Sequence, residues 1–107
     1  MIPPSAAGGA RKQGAYVYLL RSHVDGSHYL GWTTDVVRRL VEHNTEALVG
    51  LSRRTRPWQL VGIERVASVQ AAKARERTLK RNARMFQLFK KRMLNQAAAR
   101  GLRQVGG

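Results

Sequence analysis

Residues 15–33, AYVYLLRSHVDGSHYLGWT, decide how this chain folds. The stretch 15–20 is rich in aromatic and aliphatic side chains, as in a β-strand. Asp25-Gly26 is a turn signal, and an extended pattern resumes over 28–32. Two short strands around such a turn predict an antiparallel β-hairpin.

A helix is predicted directly after the hairpin. Thr34 or Asp35 can cap it, because both side chains accept hydrogen bonds from free backbone N–H groups. Four aliphatic residues at helical spacing predict its apolar face: Val36, Val37, Leu40 and Val41. The segment 45–56 is polar and contains glycine, so it is predicted to be a loop that ends before Pro57.

The second half of the chain predicts one strand and two helices. Residues 58–66 alternate as a third strand, and Ser68 can cap a helix that runs to about Arg81. Asn82-Ala83 breaks that helix before a last one. The predicted order is β-β-α-β-α-α, a small α/β domain whose three-stranded sheet is largely antiparallel and flanked by helices.

The length of 107 residues predicts a single domain. Residues 1–13 contain prolines and glycines but no periodic apolar residue, so we expect a flexible N-terminal tail. The folded domain is predicted to span 14–96, and 97–107 are predicted to form a flexible C-terminal tail.

The charge of the chain predicts its class of partner. Twenty Lys and Arg against six Asp and Glu give a net charge of +14, which favours a polyanion such as DNA or RNA. The absence of cysteine excludes disulfides, cysteine zinc sites and thiol nucleophiles. No apolar run approaches the roughly 20 residues that span a bilayer. We therefore expect a cytoplasmic, nucleoid-associated protein without a membrane partner or a small-molecule cofactor; its oligomeric state stays open.

Three tyrosines can meet on the hairpin. Tyr16 and Tyr18 share one face of their strand, and the hydroxyl of Tyr29 converges with them if it lies on the partner strand. The alternative is that all three are strand aromatics that pack a sheet.

The first helix carries two polar residues at the edge of its apolar face. With Val36 at 0° and about 100° per residue, Arg39 falls near 300° and His43 near 340°. Arg38 falls near 200°, toward solvent. An arginine and an imidazole at that edge can point into a cleft, whereas the alternative is a solvated charged helix.

Glu76 lies on the apolar stripe of the second helix, with Val69, Ala72 and Leu79. An ionised carboxylate is costly there unless it is paired or metal-bound. A buried salt bridge and a ligand for a hard divalent cation are both open interpretations.

The remaining arginines and lysines are expected to contact phosphate. Arginine binds phosphate well, and Trp58 next to the basic loop is expected in the core. The predicted nucleic-acid contacts are Arg38, Arg53, Arg54, Arg56, Lys80 and Arg81.

Taken in order, these motifs resemble the GIY-YIG nuclease domain. Tyr16-Val17-Tyr18 and Tyr29-Leu30-Gly31 are similar to its paired signature, and the segment 29–44 is similar to its second strand and first helix. The Ala-x-x-x-Glu-x-x-x-Lys run around Glu76 also fits. The chain resembles the small stand-alone UPF0213 (YhbQ-like) branch and the Slx1-type nuclease domain.

The resemblance implies a metal-dependent endonuclease that acts on DNA, structure-selective or non-specific, in repair or recombination. It implies that Glu76 binds one Mg²⁺ or Mn²⁺, that Arg39 neutralises the reacting phosphate, and that Tyr18 accepts a proton from the attacking water. Positive charge would have to lower the pKa of that phenol from about 10. The implied catalytic residues should line one concave pocket: Tyr18, Tyr29, Arg39, His43 and Glu76.

Two other functions fit the same composition. The first is a non-catalytic basic module that binds DNA or RNA with the same fold. The second is an RNA-associated protein of ribosomal type, which a salt-titrated comparison of RNA with DNA separates from the others.

Overall fold

A computed structural model describes residues 14–45 and 57–101. Its elements follow the predicted order β-β-α-β-α-α, which confirms the α/β fold. They are β1 Ala15–Ser22, β2 His28–Thr33, α1 Val36–His43, β3 Trp58–Val66, α2 Val69–Arg81 and α3 Ala83–Ala99. The predicted tail 1–13 and most of the predicted loop 45–56 lie outside the described residues.

The sheet has the strand order β2-β1-β3, and both pairings are antiparallel. β1 is therefore central, and β2 forms one edge. Tyr18 on β1 lies opposite Gly31 on β2 and Ile63 on β3. The hairpin predicted from residues 15–33 is confirmed, with Gly26 in the turn at a φ of 75° that favours glycine.

Alternation along β1 divides the core between the two faces of the sheet. Val17 and Leu19 face one way and pack with Ala72, Leu79 and other residues of α2 and α3. On the other face, Tyr18, Leu20 and Trp58 are buried, and Leu40 of α1 packs against them. The prediction that Trp58 lies in the core is confirmed, and α1 covers the opposite face from α2 and α3.

α1 is rotated relative to its predicted apolar face. Val37 and Val41 are 75% and 54% exposed, whereas His43 is only 1% exposed. The prediction that all four aliphatic residues face the core is thus wrong for these two valines. The helix instead turns the edge that carries Arg39 and His43 toward the sheet, because Tyr18 offers a hydrogen-bonding partner there.

α3 extends further than predicted and covers the free edge of β3. Gln96 Nε2 donates to the carbonyl of Ile63, and Gln96 Oε1 accepts from the N–H of Ile63, both at 3.1 Å. Arg100 Nη2 donates to the carbonyl of Val61 at 3.0 Å, and Ala97 is buried. The flexible tail predicted for 97–107 therefore begins too early, since residues 97–100 hold this contact. Within the described ranges, no helix is long and apolar enough to cross a membrane.

Candidate active site

The side chain of Tyr18 lies across the edge strand, directly over Gly31. A Cβ atom on Gly31 would be 2.7 Å from the Tyr18 hydroxyl oxygen and 3.0 Å from the ring of Tyr29. No ordinary side chain fits at that distance, so the tyrosine can occupy this position only above a glycine. The Tyr29-Leu30-Gly31 motif thus places the Tyr18 hydroxyl over the edge strand of the sheet.

At the end of α1, His43 forms a hydrogen bond with the hydroxyl of Tyr18. The Tyr18 oxygen and His43 Nε2 are 2.9 Å apart in a buried hydrogen bond. The ring of Tyr29 packs edge-on against His43 with ring centroids 4.5 Å apart. The ring centroid of Trp58 lies 6.4 Å from that of His43. The rings of Tyr18 and Tyr29 stack with centroids 6.3 Å apart, so the two tyrosines lie side by side, and convergence of their hydroxyls stays a prediction. Tyr16 precedes Tyr18 on β1 and lies opposite Thr33 rather than Gly31.

The imidazole of His43 is kept neutral by its surroundings. Burial lowers its pKa from the usual value, and the positive charge of Arg39 lowers the pKa further against a smaller effect of Glu42. Its Nδ1 is buried without a hydrogen-bond partner. A neutral imidazole has one nitrogen that can accept a proton, so His43 can act as a base toward Tyr18.

The pKa of the Tyr18 phenol is shifted upward, which is opposite to the direction expected for a base. Burial raises its pKa to about 12, although its interaction with Arg39 lowers it, and electrostatic effects of Tyr29 and Glu76 add to the rise. Tyr18 is consequently protonated at neutral pH in this state. The positive charge of Arg39 lowers the pKa of this phenol as the resemblance requires, but the larger effect of burial leaves that pKa above its usual value.

Arg39 lies beside Tyr18 and is held by an acid of its own helix. Its Nη1 donates to Glu42 Oε1 at 2.9 Å, and its Nε is buried without a partner. The arginine also lines a cavity of about 280 Å³ together with Trp32 and Thr33. Arg38 points away, with a side chain 59% exposed, as the helical angles predicted.

Asn44 is a residue whose importance the sequence did not reveal. Its side chain donates to the carbonyl of Trp58 at 3.0 Å and accepts from the N–H of Trp58. These two bonds attach the end of α1, and with it His43, to the start of β3. The signal that could have revealed it is an amide directly after the last helical residue, since asparagine favours such end positions.

Glu76 comes from α2, on the other face of the sheet. Ala72 and Leu79 of the same stripe are buried, and the Glu76 side chain is 22% exposed. Lys80 Nζ lies 3.2 Å from its carboxylate, so one of the two open interpretations, a salt bridge, is present. The carboxylate also lines a cavity of about 460 Å³, whose cationic lining residues are Lys73, Arg77, Lys80 and Arg81.

Trp32 connects the two halves of the predicted site. It lines the Arg39 cavity and the Glu76 cavity, and Lys73 Nζ lies 5.7 Å from its ring centroid. Tyr18, Tyr29, Arg39 and His43 are thus brought together on one face of the sheet. Glu76 belongs to α2, and its charge is close enough to raise the pKa of Tyr18. The cavity that Arg39 lines and the cavity that Glu76 lines share Trp32, and one pocket lined by all five predicted residues stays a prediction.

Apart from Arg38, the basic residues predicted to contact phosphate fall into two groups. Lys80 and Arg81 are exposed at the end of α2, beside the Glu76 cavity. Arg53, Arg54 and Arg56 lie outside the described residues.

The positive charges around Glu76 determine when a divalent cation can bind there. Among the residues that the structure describes, no three His, Cys, Asp or Glu side chains form a metal-binding group. Mg²⁺ nevertheless often binds through one or two carboxylates and keeps several waters. The four cations that line the Glu76 cavity oppose a free cation, so the residues fit an ion that also has phosphate oxygens as ligands.

A family model described as the GIY-YIG catalytic domain matches residues 14–91. The chain belongs to the GIY-YIG family. In this GIY-YIG protein the two signature strands are the β1–β2 hairpin, and the glycine of the second signature is the Gly31 that Tyr18 covers.

Several relatives of this GIY-YIG protein are of similar size. A UPF0213 protein of Streptococcus pneumoniae is 40% identical over 70 residues, which cover 65% of this chain and 70% of that protein. The UPF0213 protein SAG0778 of Streptococcus agalactiae is 39% identical over 74 residues, 69% of this chain and 83% of the relative. The resemblance to the UPF0213 branch is confirmed.

A larger relative shares a shorter segment. A structure-specific endonuclease subunit SLX1 homolog of Trypanosoma cruzi is 45% identical over 51 residues, 42% of this chain but 10% of that protein. No solved structure is significantly similar to the chain.

Proposed function

We propose that this protein is a divalent-metal-dependent endonuclease that hydrolyses phosphodiester bonds in DNA. Its membership of the GIY-YIG family and its similarity to a protein named a structure-specific endonuclease subunit support this activity. The net charge of +14 suits a DNA substrate and favours a cytoplasmic protein that associates with the nucleoid. Structure-selective or non-specific cleavage in repair or recombination is the expected setting.

The observation that carries the proposal is the position of the Tyr18 hydroxyl. It is held over Gly31, 2.9 Å from a neutral imidazole nitrogen and beside a guanidinium. A tyrosine that only packs a sheet has no need of a buried histidine whose other nitrogen lacks a partner. An acid–base pair next to a cation is the arrangement that phosphodiester hydrolysis uses.

Arg39 is proposed to act on the reacting phosphate. Its buried Nε has no partner, and its side chain lines a cavity at the β2 edge. A phosphate oxygen that accepts from this N–H would be stabilised as negative charge builds on it in the transition state. Glu42 holds the guanidinium until the phosphate arrives.

Tyr18 and His43 are proposed to act as a relay. Water attacks the phosphorus, its proton passes to the Tyr18 oxygen, and the Tyr18 proton passes to His43 Nε2 while the 3′ oxygen leaves. Tyr18 is neutral before and after the step, so a phenol pKa of about 12 does not prevent it. The leaving oxygen takes its proton from solvent.

Glu76 is proposed to bind the Mg²⁺ or Mn²⁺ ion. When bound, the ion would polarise the scissile phosphate and stabilise the leaving oxygen. Lys80 and Arg81 would position the phosphate backbone beside Glu76 without reading its sequence.

Cleavage by the purified chain tests the proposal. Nicked, flap, fork and single-stranded DNA are incubated with Mg²⁺ or Mn²⁺, and single-turnover rates are compared among variants. We expect Arg39→Ala and Glu76→Gln to lose activity by at least about 100-fold, as loss of one transition-state contact does elsewhere. Arg65→Ala removes one exposed cation outside the site and serves as the charge control.

A non-catalytic nucleic-acid-binding module is the second candidate. The Glu76–Lys80 ion pair favours it, because a carboxylate among cations also has a purely structural explanation. This candidate requires that wild type cleaves none of the substrates, and that Glu76→Gln leaves the affinity for DNA and its salt dependence unchanged.

A further inference from the structure

A third cavity adjoins the Glu76 cavity at the junction of α2 and α3. Its volume is about 550 Å³, and its wall is mainly apolar, formed in part by Leu30, Leu79, Ala83 and Phe86. Tyr29 of the Tyr18 cluster also lines it, but the proposed cleavage step gives the recess itself no role. Phe86 and Leu30 also belong to the core packing around this edge of the sheet, so the cavity has a fixed frame.

The cavity is flanked by the same cations as the Glu76 cavity. Lys80 and Arg81 line both, and both residues are exposed. Lys90 adds a third positive charge, with Nζ 5.8 Å from the ring centroid of Phe86. An apolar, aromatic recess beside a row of cations complements a molecule with an anionic backbone and flat apolar groups.

His28 supplies a polar contact inside this recess. Burial lowers the pKa of its imidazole, and the charges of Lys90 and Arg21 lower it further. A neutral imidazole offers one donor and one acceptor. Such a pair can meet the edge of a nucleobase while its face lies against Phe86.

We propose that this cavity binds the base of one unpaired nucleotide in the DNA, next to the phosphate that Lys80 and Arg81 hold. The inference rests on the proposed DNA substrate and deepens it. A paired base stays in its stack and cannot enter, whereas an unpaired base near a junction, flap or bulge enters at little cost. The cavity would thereby make the protein select branched or bulged DNA without reading its sequence.

A binding measurement tests this without any cleavage. A duplex is compared with the same duplex carrying one unpaired 2-aminopurine nucleotide, in EDTA, by anisotropy and by 2-aminopurine fluorescence. We expect wild type to prefer the bulged duplex by about fivefold or more, the lower end of what stacking one base contributes. The 2-aminopurine emission should change on binding.

Two tryptophan variants of α3 form the matched pair. Ala83→Trp fills the cavity and should reduce the preference to less than about twofold while its affinity for plain duplex is kept. Leu88→Trp adds the same side chain at a position that is 59% exposed and should keep the preference. Phe86→Leu keeps an apolar side chain in the packing and should weaken the fluorescence change.

The outcomes separate the two proposals. An equal preference in wild type and Ala83→Trp, no preference in wild type, or a preference only for the RNA version of the bulge would overturn the inference. If wild type cleaves DNA but shows no preference, the cavity inference fails alone. If it shows the preference but cleaves nothing, the nuclease proposal fails and the cavity inference stands.

Discussion

The hydroxyl oxygen of Tyr18 and Nε2 of His43 lie 2.9 Å apart in a buried hydrogen bond, although 25 residues separate them in the chain. The bond connects the central strand to the end of α1. It also joins a phenol whose pKa is raised to about 12 with an imidazole whose pKa is lowered. Both shifts favour the uncharged forms, so the pair is neutral until a substrate changes its surroundings.

Gly31→Ala is expected to displace the Tyr18 ring. The new Cβ would lie 2.7 Å from the hydroxyl oxygen and 2.8 Å from Cζ, closer than real Cβ contacts permit. Overpacking of this kind costs about 1–3 kcal/mol, which chemical denaturation can measure. Because Tyr18→Phe removes one of the two clashing atoms, the double variant should be less destabilised than the sum of the single variants. Additive effects would contradict the proposed contact.

The stability of the protein should fall in mild acid because of His43. Burial lowers the pKa of this imidazole in the folded state, whereas an unfolded histidine titrates near 6.5. Below about pH 6.5 the unfolded chain therefore binds a proton that the folded chain does not, and the free energy of unfolding decreases as the pH falls. His43→Gln should reduce this dependence in urea titrations between pH 5 and 8, and His28, whose pKa burial also lowers, should account for part of what remains. The control variant is His23→Gln, in the exposed turn.

Glu42→Gln is expected to raise the affinity for DNA while it lowers the rate of cleavage. Glu42 accepts hydrogen bonds from Arg39 Nη1 at 2.9 Å and from Arg38 Nη1 at 3.3 Å. Without its charge, both arginines become available to phosphate, and the affinity for DNA should rise about two- to fivefold at low salt. The single-turnover cleavage rate should fall, because Arg39 loses the charged acceptor that holds it beside Tyr18.

Asp25→Asn removes an exposed carboxylate of the β1–β2 turn and is the control for the change in net charge. An equal gain in affinity in this control would attribute the effect of Glu42→Gln to total charge rather than to the freed arginines. Fluorescence anisotropy over a salt series measures both.

Divalent metal should bind this protein weakly unless DNA is present. The Glu76 carboxylate is paired with Lys80, and three further cations line its cavity. DNA phosphates neutralise these charges, so the affinity for Mn²⁺, followed by electron paramagnetic resonance, should increase when DNA is added. Linkage requires that Mn²⁺ raise the affinity for DNA by the same factor.

Glu76→Gln should abolish that coupling, and protein-free DNA corrects for ions that the phosphates bind by themselves. Tight binding of Mn²⁺ by the protein alone would show that the surrounding cations do not control the site. The fold of the variant is checked by thermal denaturation.

The strands could be predicted because their signals are local. Alternating aromatic and aliphatic residues and the Asp25-Gly26 turn are sufficient for a hairpin, and the capping side chains of Asp35 and Ser68 accept from the backbone of α1 and α2 as expected. The close approach of Tyr18 to Gly31 could not be predicted, because it depends on where a side chain extends across a neighbouring strand.

The orientation of α1 shows the limit of apolar periodicity. Val37 and Val41 are exposed because buried polar contacts determine the rotation of this short helix. The bond between His43 and Tyr18 and the two bonds between Asn44 and Trp58 outweigh the burial of two valines. The helical angles nevertheless distinguished Arg39 from Arg38 correctly, since that distinction needs only the pitch of the helix.

Through the contact between Gln96 and Ile63, α3 forms hydrogen bonds at the edge of the sheet where another strand could otherwise pair. A β-strand at the border of a sheet offers N–H and C=O groups to any other chain, and the amide of Gln96 satisfies one such pair from within the molecule. A version of the chain that ends at residue 95 would lose this amide together with Arg100, which covers Val61. Such a version would be open to strand-to-strand self-association, so the last turns of α3 help to keep separate copies of this protein apart.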